Sequence, residues 1–430
     1  MEELLLILNE WWTEGEISEE KAKEYKRTIF QHVTDTFMNY RQIVILTGLR
    51  RVGKTTLMFQ IIKKLIDNGV NPKNILYFSF DERIEDPLLI FKFYEKITKV
   101  NWKKEKIYVF LDEIHKLEDW STKIKILYDN MPNIKLCVSG SASLMLEEEA
   151  TKNLAGRYFL IEVEPLSLKE YAELYFNNRI DNYYLWKPRL EAIFEDFILK
   201  PFPEIVKWTD RQKINEYIRT LIIEKIVKSD IPHIFQKVNI KLISTLTNIF
   251  LKDIGSTLNI TSLAKELGVH KLTLLNHLYY LEFGKMFRII KNYRPSIRAE
   301  SRKLMKIYPY HPSLSLALYP ETEKGKIIEN LILSYGKYNK YWRKGEKEID
   351  FLKINSTIIP IEIKYKPKIK NEDLKTMNFF LKKYNLKKGI VFYQGDDKTI
   401  KLNDKNIKLR SITHFCFDPL TLKSRDISSC

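Results

Sequence analysis

The chain has 430 residues, of which 44% are hydrophobic and 30% charged. This leaves room for two to four domains with real cores and excludes a disordered or low-complexity chain. The net charge of +17 points to an anionic partner, nucleic acid (DNA) first, unless Lys-rich usage merely reflects a biased genome.

Cys137, Cys416 and Cys430 are scattered and odd in number. They suggest neither a disulfide framework nor a zinc site, and fit a reducing, cytoplasmic setting. The apolar run Leu4–Leu8 follows Glu2 and Glu3, so it reads as one face of a first helix rather than a signal peptide. No window reaches the roughly 18 to 20 apolar residues needed to cross a bilayer, so no membrane role is expected.

IVILT, Ile43–Thr47, reads as a buried strand, and LMFQIIKKLI, from Leu57, as a helix with apolar positions three and four apart. Between them, Gly48, Gly53, Lys54 and Thr55 satisfy G-x-x-x-x-G-K-[ST] in the strand–loop–helix context the pattern requires. Glycines let backbone N–H groups turn inward around phosphates, and the helix N-terminus adds partial positive charge. Residues Gly48, Leu49, Arg50, Arg51, Val52, Gly53, Lys54, Thr55 and Thr56 are therefore the expected ATP cradle, with Lys54 on the β- and γ-phosphates and Thr55 on Mg²⁺.

Next comes IYVFLDEIHK, which sets Asp112 and Glu113 at the end of an apolar strand. Asp112 is assigned to the metal and Glu113 to the attacking water, a pairing that favours hydrolysis over transfer to a small molecule. His115 is expected on a helix surface. The strand IKLCVSG ends at Ser139 and Gly140, followed by Ser141. Either serine is placed to sense the γ-phosphate or to cap the following helix. Arg157, in NLAGRYFLIEV, either stabilises the transition state, in its own subunit or a neighbour's, or bridges carboxylates.

From Ser167 to Phe250 the periodicity is helical, which suggests a lid packed on the core. ITSLAKELGVHKLTLLNHLYYL then reads as helix, glycine turn and helix, with Thr261 as cap and Gly268 in the left-handed turn. MFRII would be the wing strand of a winged helix. Lys271, Thr273, Asn276 and His277 are expected on or near the exposed face of the second helix. Between Lys285 and Lys306 there are eight basic residues against one acid, Glu300. Arg288, Lys291, Arg294 and Arg298 would meet phosphates there. Packing or dimerisation is the alternative use of such a fold.

KEIDFLKINSTIIPIEIKY, from Lys347, reads as two strands with Asp350, Glu362 and Lys364 among isoleucines. Glu362 and Lys364 share one face. Upstream, the amphipathic EKGKIIENLILSYGKY carries Glu329. Two carboxylates on adjacent strands can hold Mg²⁺ or Mn²⁺, with Lys364 orienting the bound water. An edge hairpin with solvent-facing charges is the other reading.

Taken together, TGLRRVGKTT, FLDEIHKLEDW, VSGSAS, LAGR with EPLSLKEY, ENLI, GEKEIDFL and PIEIKY resemble a largely archaeal ATPase family. That family joins an AAA+-type P-loop domain to a C-terminal PD-(D/E)XK, restriction-endonuclease-like domain. The resemblance runs from about Gln42 to Pro367. It implies catalytic roles for Asp350, Glu362 and Lys364, and Glu329 as the helix acid of the same metal site.

The expectation is thus an α/β protein in five parts: an N-terminal helical segment (1–42), a P-loop core of the additional-strand type (43–170), a helical lid (171–250), a winged helix (251–310) and a nuclease-like domain (311–430). ATP would order the lid and reposition the C-terminal domains. Its expected activity is Mg-ATP hydrolysis coupled to action on DNA. A switch that binds nucleic acid or a protein without cutting, and an initiator-like loader, are the alternatives. An oligomer is compatible with all three.

Overall fold

The computed structural model describes residues 1–82, 86–140, 149–235, 237–294, 305–402 and 404–419. Two compact units make up the chain, Met1–Pro165 and Leu166–Cys430.

In the first unit, β1 (Ile43–Thr47), β2 (Ile75–Ser79), β3 (Ile107–Asp112), β4 (Ile134–Ser139) and β5 (Tyr158–Glu162) form a sheet in the order β2-β3-β4-β1-β5. Every pairing is parallel. A parallel sheet is covered on both faces, which explains why β1 and β3 are apolar up to their last residue, Thr47 and Asp112, and buried at every position. Strand β4 lies between β1 and β3, the additional strand of the expected core. The register brings Thr47 level with Glu162, and Ser79 level with Asp112, along the carboxyl edge of the sheet. Ligands of open parallel sheets bind at that edge.

The N-terminal 42 residues are not a separate segment, since they complete the sheet. Strand β2 is an edge, and an open edge exposes unpaired backbone groups. Asn9 closes it like a short strand. Its amide donates to the Tyr77 carbonyl (2.9 Å) and accepts from the Tyr77 N–H (2.6 Å). The indole N–H groups of Trp11 and Trp12 both donate to the Ile75 carbonyl, at 3.0 and 2.7 Å.

The second unit opens with helices, as the periodicity implies. Ser167 and Glu170 form a capping box on Leu168–Phe176. Helix Arg211–Ile218 continues into wider π turns at Arg219–Glu224 and Ile226–Asp230. Beyond helix Ile240–Lys252 come β6 (Ser256–Leu258), β7 (Phe287–Asn292), β8 (Met305–Pro309), β9 (Lys340–Lys344), β10 (Lys347–Ile354), β11 (Ile358–Lys364), β12 (Lys388–Tyr393), β13 (Lys398–Leu402) and β14 (Lys405–Ser411). They make one mixed sheet, ordered β13-β14-β12-β11-β10-β9-β7-β8-β6.

Helices Ile260–Glu266 and Lys271–Phe283 pack together above the antiparallel trio β6, β8 and β7. Asn259, not Thr261, caps the first of them, because its side-chain oxygen accepts from the Thr261 and Ser262 N–H groups. Gly268 takes the left-handed turn as expected, with φ +65°. The expected boundary near residue 310 is bridged. Strand β7 pairs in parallel with β9 at Lys291–Lys340 and Asn292–Tyr341. The Asn292 side chain also exchanges hydrogen bonds with the Arg343 backbone, at 3.0 and 3.3 Å. Among the described residues, no helix is long and apolar enough to cross a membrane.

Candidate functional site

The loop after β1 is built for close backbone approach. Gly48 has φ +144°, and a β-carbon there would stand 2.2 Å from the Val163 carbonyl oxygen. Gly53, with φ +96°, leads into helix Lys54–Asp67. The buried Lys54 ammonium donates to the carbonyls of Gly48 and Leu49, at 3.0 Å each, so it is held over the loop. Asp112 ends β3 beside it. Its carboxylate accepts from Thr55 Oγ1 (2.6 Å), Tyr77 OH (3.1 Å), the Glu113 N–H (3.0 Å) and the Ser139 hydroxyl. Burial, reinforced by the neighbouring Glu113, raises the Asp112 pKa, while hydrogen bonds from Ser139 and Thr55 and the charge of Lys54 oppose the rise. A buried carboxylate touching a hydroxyl is the oxygen pair that a hard divalent cation takes.

Glu113 adopts a left-handed backbone, φ +50°, and its Oε2 lies 3.3 Å from His115 Nδ1. His115 is buried, contrary to the expected surface placement. The short 3₁₀ turn Ile114–Lys116 tucks it beneath the strand end, next to the acid. Arg50 acts on Asp81, whose pKa is pulled down by Lys116 and Arg50 despite the opposing effect of burial. Ser139 is engaged with Asp112, while Ser141 lies outside the described residues.

The second unit holds an acidic cluster. Pairing of Phe351 with Ile361 sets Asp350 opposite Glu362 on β10 and β11. Asp350 Oδ2 accepts from the Ile363 N–H (2.7 Å). Burial, then Glu329 and Glu362, push the Asp350 pKa well up. Glu362 is 1% exposed, and neither of its oxygens accepts a hydrogen bond. Lys364 Nζ lies 3.2 Å from Oε2, close enough for charge attraction. Burial raises the Glu362 pKa against that attraction.

Glu329 acts on Asp350 through its charge and is itself held by two donors. Its Oε1 accepts from Tyr308 OH (2.5 Å) and lies 3.6 Å from Lys306 Nζ, and Lys306 also pairs with Glu348. For Lys306, burial alone would lower the pKa, and Glu329 and Glu348 outweigh it, so the net shift is upward. Among the described residues, no three His, Cys, Asp or Glu side chains form a metal-holding group. Of the three expected acids, Asp350 and Glu362 face each other across the hairpin, and Glu329 is engaged by Tyr308 and Lys306.

The basic face differs from expectation. His277 is buried and accepts the Asn239 N–H (3.0 Å), closing the start of helix Ile240–Lys252. Lys271 and Asn276 are exposed, but so are Leu272 (70%), Leu275 (42%) and Tyr279 (37%). Arg288 turns onto the Tyr310 ring, 4.2 Å from its centroid, instead of toward a phosphate. Lys291 is exposed, Arg294 is half-buried, and Arg298 lies outside the described residues.

Residues 40–172 match a family model described as an AAA domain. Residues 198–324 and 324–414 match two models described as domains of unknown function, DUF8612 and DUF4143. Two uncharacterized proteins of Methanocaldococcus jannaschii are relatives over most of their length. MJ1544 is 24% identical over 400 residues, 90% of this chain and 85% of that one. MJ1637 is 25% identical over 433 residues, 89% and 87% respectively. Among solved structures, the Walker-type ATPase PABY2304 of Pyrococcus abyssi overlaps 71% of this chain and 97% of its own, at 14% identity and a TM-score of 0.44.

Within the first unit, Arg157 sits just before β5, at the amino edge of the sheet, where its carbonyl accepts the Ile43 N–H. Its guanidinium is bidentate on Asp129, at 2.8 and 3.2 Å. The P-loop lies at the opposite edge, roughly 16 Å away at the rise of a five-residue strand, so Arg157 does not join its own chain's site. Two contributors escaped the sequence reading. Arg27 donates to the carbonyls of Val52 (2.8 Å) and Glu164 (2.9 Å), clamping the loop to the chain after β5. Tyr77 steadies Asp112. Neither belongs to a spaced motif, so only the fold reveals them.

Proposed function

We propose that the AAA domain binds and hydrolyses Mg-ATP, and that the second unit acts on nucleic acid through a divalent-metal site at Asp350 and Glu362. The contact between Thr55 Oγ1 and Asp112, at the mouth of the P-loop, carries the ATPase reading. The amides of residues 48–55 and the Lys54 ammonium receive the β- and γ-phosphates. Thr55 and Asp112 would hold Mg²⁺, which supplies charge neutralisation between the phosphates. Glu113 orients and deprotonates the attacking water, with His115 fixing its carboxylate. Because Arg157 is remote from its own site, any role in the transition state is in a neighbouring protomer.

The test is steady-state ATP hydrolysis. Lys54→Ala loses nucleotide binding and turnover together. Glu113→Gln retains nucleotide and loses roughly 10²–10⁴ in turnover, the range for a positioned general base. Wild-type rates in either variant defeat the assignment.

For the second unit, the block of β6–β8 with its two helices is read as a winged helix. The strands β9–β12 with Glu329, Asp350, Glu362 and Lys364 are read as the nuclease-like domain. Glu362 supports a metal there: it is buried beside the carboxylate of Asp350, and the single Lys364 ammonium at 3.2 Å offsets one of the two charges. Bound Mg²⁺ or Mn²⁺ would supply an acidified water, and Lys364 would steady it or the phosphate. Metal-dependent cleavage of DNA should vanish in Asp350→Ala and Glu362→Ala, and cleavage that survives both defeats this half of the reading.

A second reading has its own observation. Leu272, Leu275 and Tyr279 give the helix Lys271–Phe283 an apolar outer face, and Arg288 is turned inward. Both features suit a nucleotide-dependent switch that binds a protein and cuts nothing. Nucleotide-sensitive binding without cleavage would favour it.

A further inference from the structure

We infer that Lys306 serves as a built-in cation of the acidic cluster, so that the cluster takes one divalent ion, between Asp350 and Glu362, with Glu329 outside its ligand set. The inference rests on the metal reading above and deepens it. Strand β8, which carries Lys306 and Tyr308, belongs to the block beyond the bridged boundary near residue 310. It lies outside the helix and hairpin that carry the acids.

The charges are countable. Glu329, Glu348, Asp350 and Glu362 face the ammonium groups of Lys306 and Lys364. Four negative charges against two positive leave two, which one divalent ion neutralises. Two other cations stand nearby. Arg343 Nη1 is 3.7 Å from Glu348, but it is 42% exposed, so water screens most of its charge. Lys366 is paired with Asp373.

The geometry agrees with the count. Lys306 is buried between Glu348 and Glu329, where a second metal ion would otherwise balance those acids. Tyr308 OH donates to Glu329 Oε1 at 2.5 Å, so this acid is already held by a hydroxyl and by the Lys306 ammonium. Glu362 meets the Lys364 ammonium, 3.2 Å from Oε2, while its Oε1 accepts no hydrogen bond among the described residues. Crowding two further, half-buried carboxylates beside Asp350 calls for a fixed positive charge, and Lys306 provides it without a free ion.

Mn²⁺ titration calorimetry on the full chain tests this, without nucleotide and in an Asp112→Asn background that silences the P-loop oxygen pair. The parent should bind one ion, lost on adding Asp350→Asn. Lys306→Met should bind two, because Glu329 and Glu348 then need a counter-ion. The double substitution Lys306→Met with Glu329→Gln removes one charge of each sign. It should return to one ion with affinity within about threefold of the parent, and it carries the test if Lys306→Met alone does not fold. If Glu329 were a ligand, the double variant would lose about tenfold or more, and that result overturns the inference. So does a single ion in folded Lys306→Met, or two ions in the parent. No ion sensitive to Asp350→Asn overturns the metal reading itself, and the inference with it.

Discussion

A methyl group at residue 48 would stand 2.2 Å from the Val163 carbonyl oxygen, so this glycine is required by space as well as by its φ of +144°. Gly48→Ala must displace either the P-loop or the chain after β5. It should cut ATP affinity at least tenfold, read by nucleotide titration, and lower the melting temperature. Elsewhere a single buried imidazole sets a pH response. His311 is fully buried, and burial pulls its pKa down to about 3, with the charge of Arg288 adding to the effect. Its Nδ1 accepts the Ser313 N–H (3.2 Å), so the ring is neutral in the fold. The unfolded chain takes up a proton near pH 6.5 and the folded chain does not. Stability from this group is therefore full above about pH 6.5 and falls as pH drops toward 3, by at most about 1.4 kcal/mol per unit. His311→Asn, which can still cap the following turn, should flatten that acid limb in denaturant titrations at pH 7, 6 and 5. The P-loop residues were readable one by one from spacing. His115 and His277 were not, because an isolated histidine carries no signal of which way its turn or helix faces.

At the scale of elements, the edge strand β2 shows how the N-terminal residues contribute. Asn9→Ala would leave the Tyr77 N–H and carbonyl without their partner in a buried setting. A loss of about 1–3 kcal/mol is expected, measured as a shift in the denaturant midpoint at unchanged slope. An effect below about 0.3 kcal/mol would mean that water reaches the edge. Strands β1, β3 and β4 were legible as apolar runs because both faces of a parallel sheet are buried. For helix Lys271–Phe283 periodicity was less informative. Apolar residues occur all round it, so the pattern showed a helix and left its outer face, Leu272, Leu275 and Tyr279, undetermined.

For the whole molecule, two separate cores predict two unfolding transitions. Mg-ATP should raise the transition of Met1–Pro165. Mn²⁺ without nucleotide should raise that of Leu166–Cys430, by about 2.7 kcal/mol at a hundredfold excess over its dissociation constant. Calorimetric scans resolve the pair, and a shift of the same transition by both ligands would contradict the assignment of sites. The expected boundary of the second unit near residue 310 is crossed by a strand pairing. Strand pairing between β7 and β9 involves residues 49 positions apart, Lys291 and Lys340, and no local pattern encodes so distant a partner.

Local chemistry determined much of this protein from sequence alone: the phosphate loop, the Asp112–Glu113 pair, the acid-bearing hairpin and the alternation of strand and helix. Each depends on residues adjacent or a few positions apart, where backbone geometry fixes the spacing. Only the tertiary structure decided which charges meet. It set Arg157 against Asp129, Arg288 against Tyr310 and Lys306 between Glu329 and Glu348. A charged side chain's role follows from its nearest opposite charge, and in each case that partner or its aromatic substitute comes from more than twenty residues away.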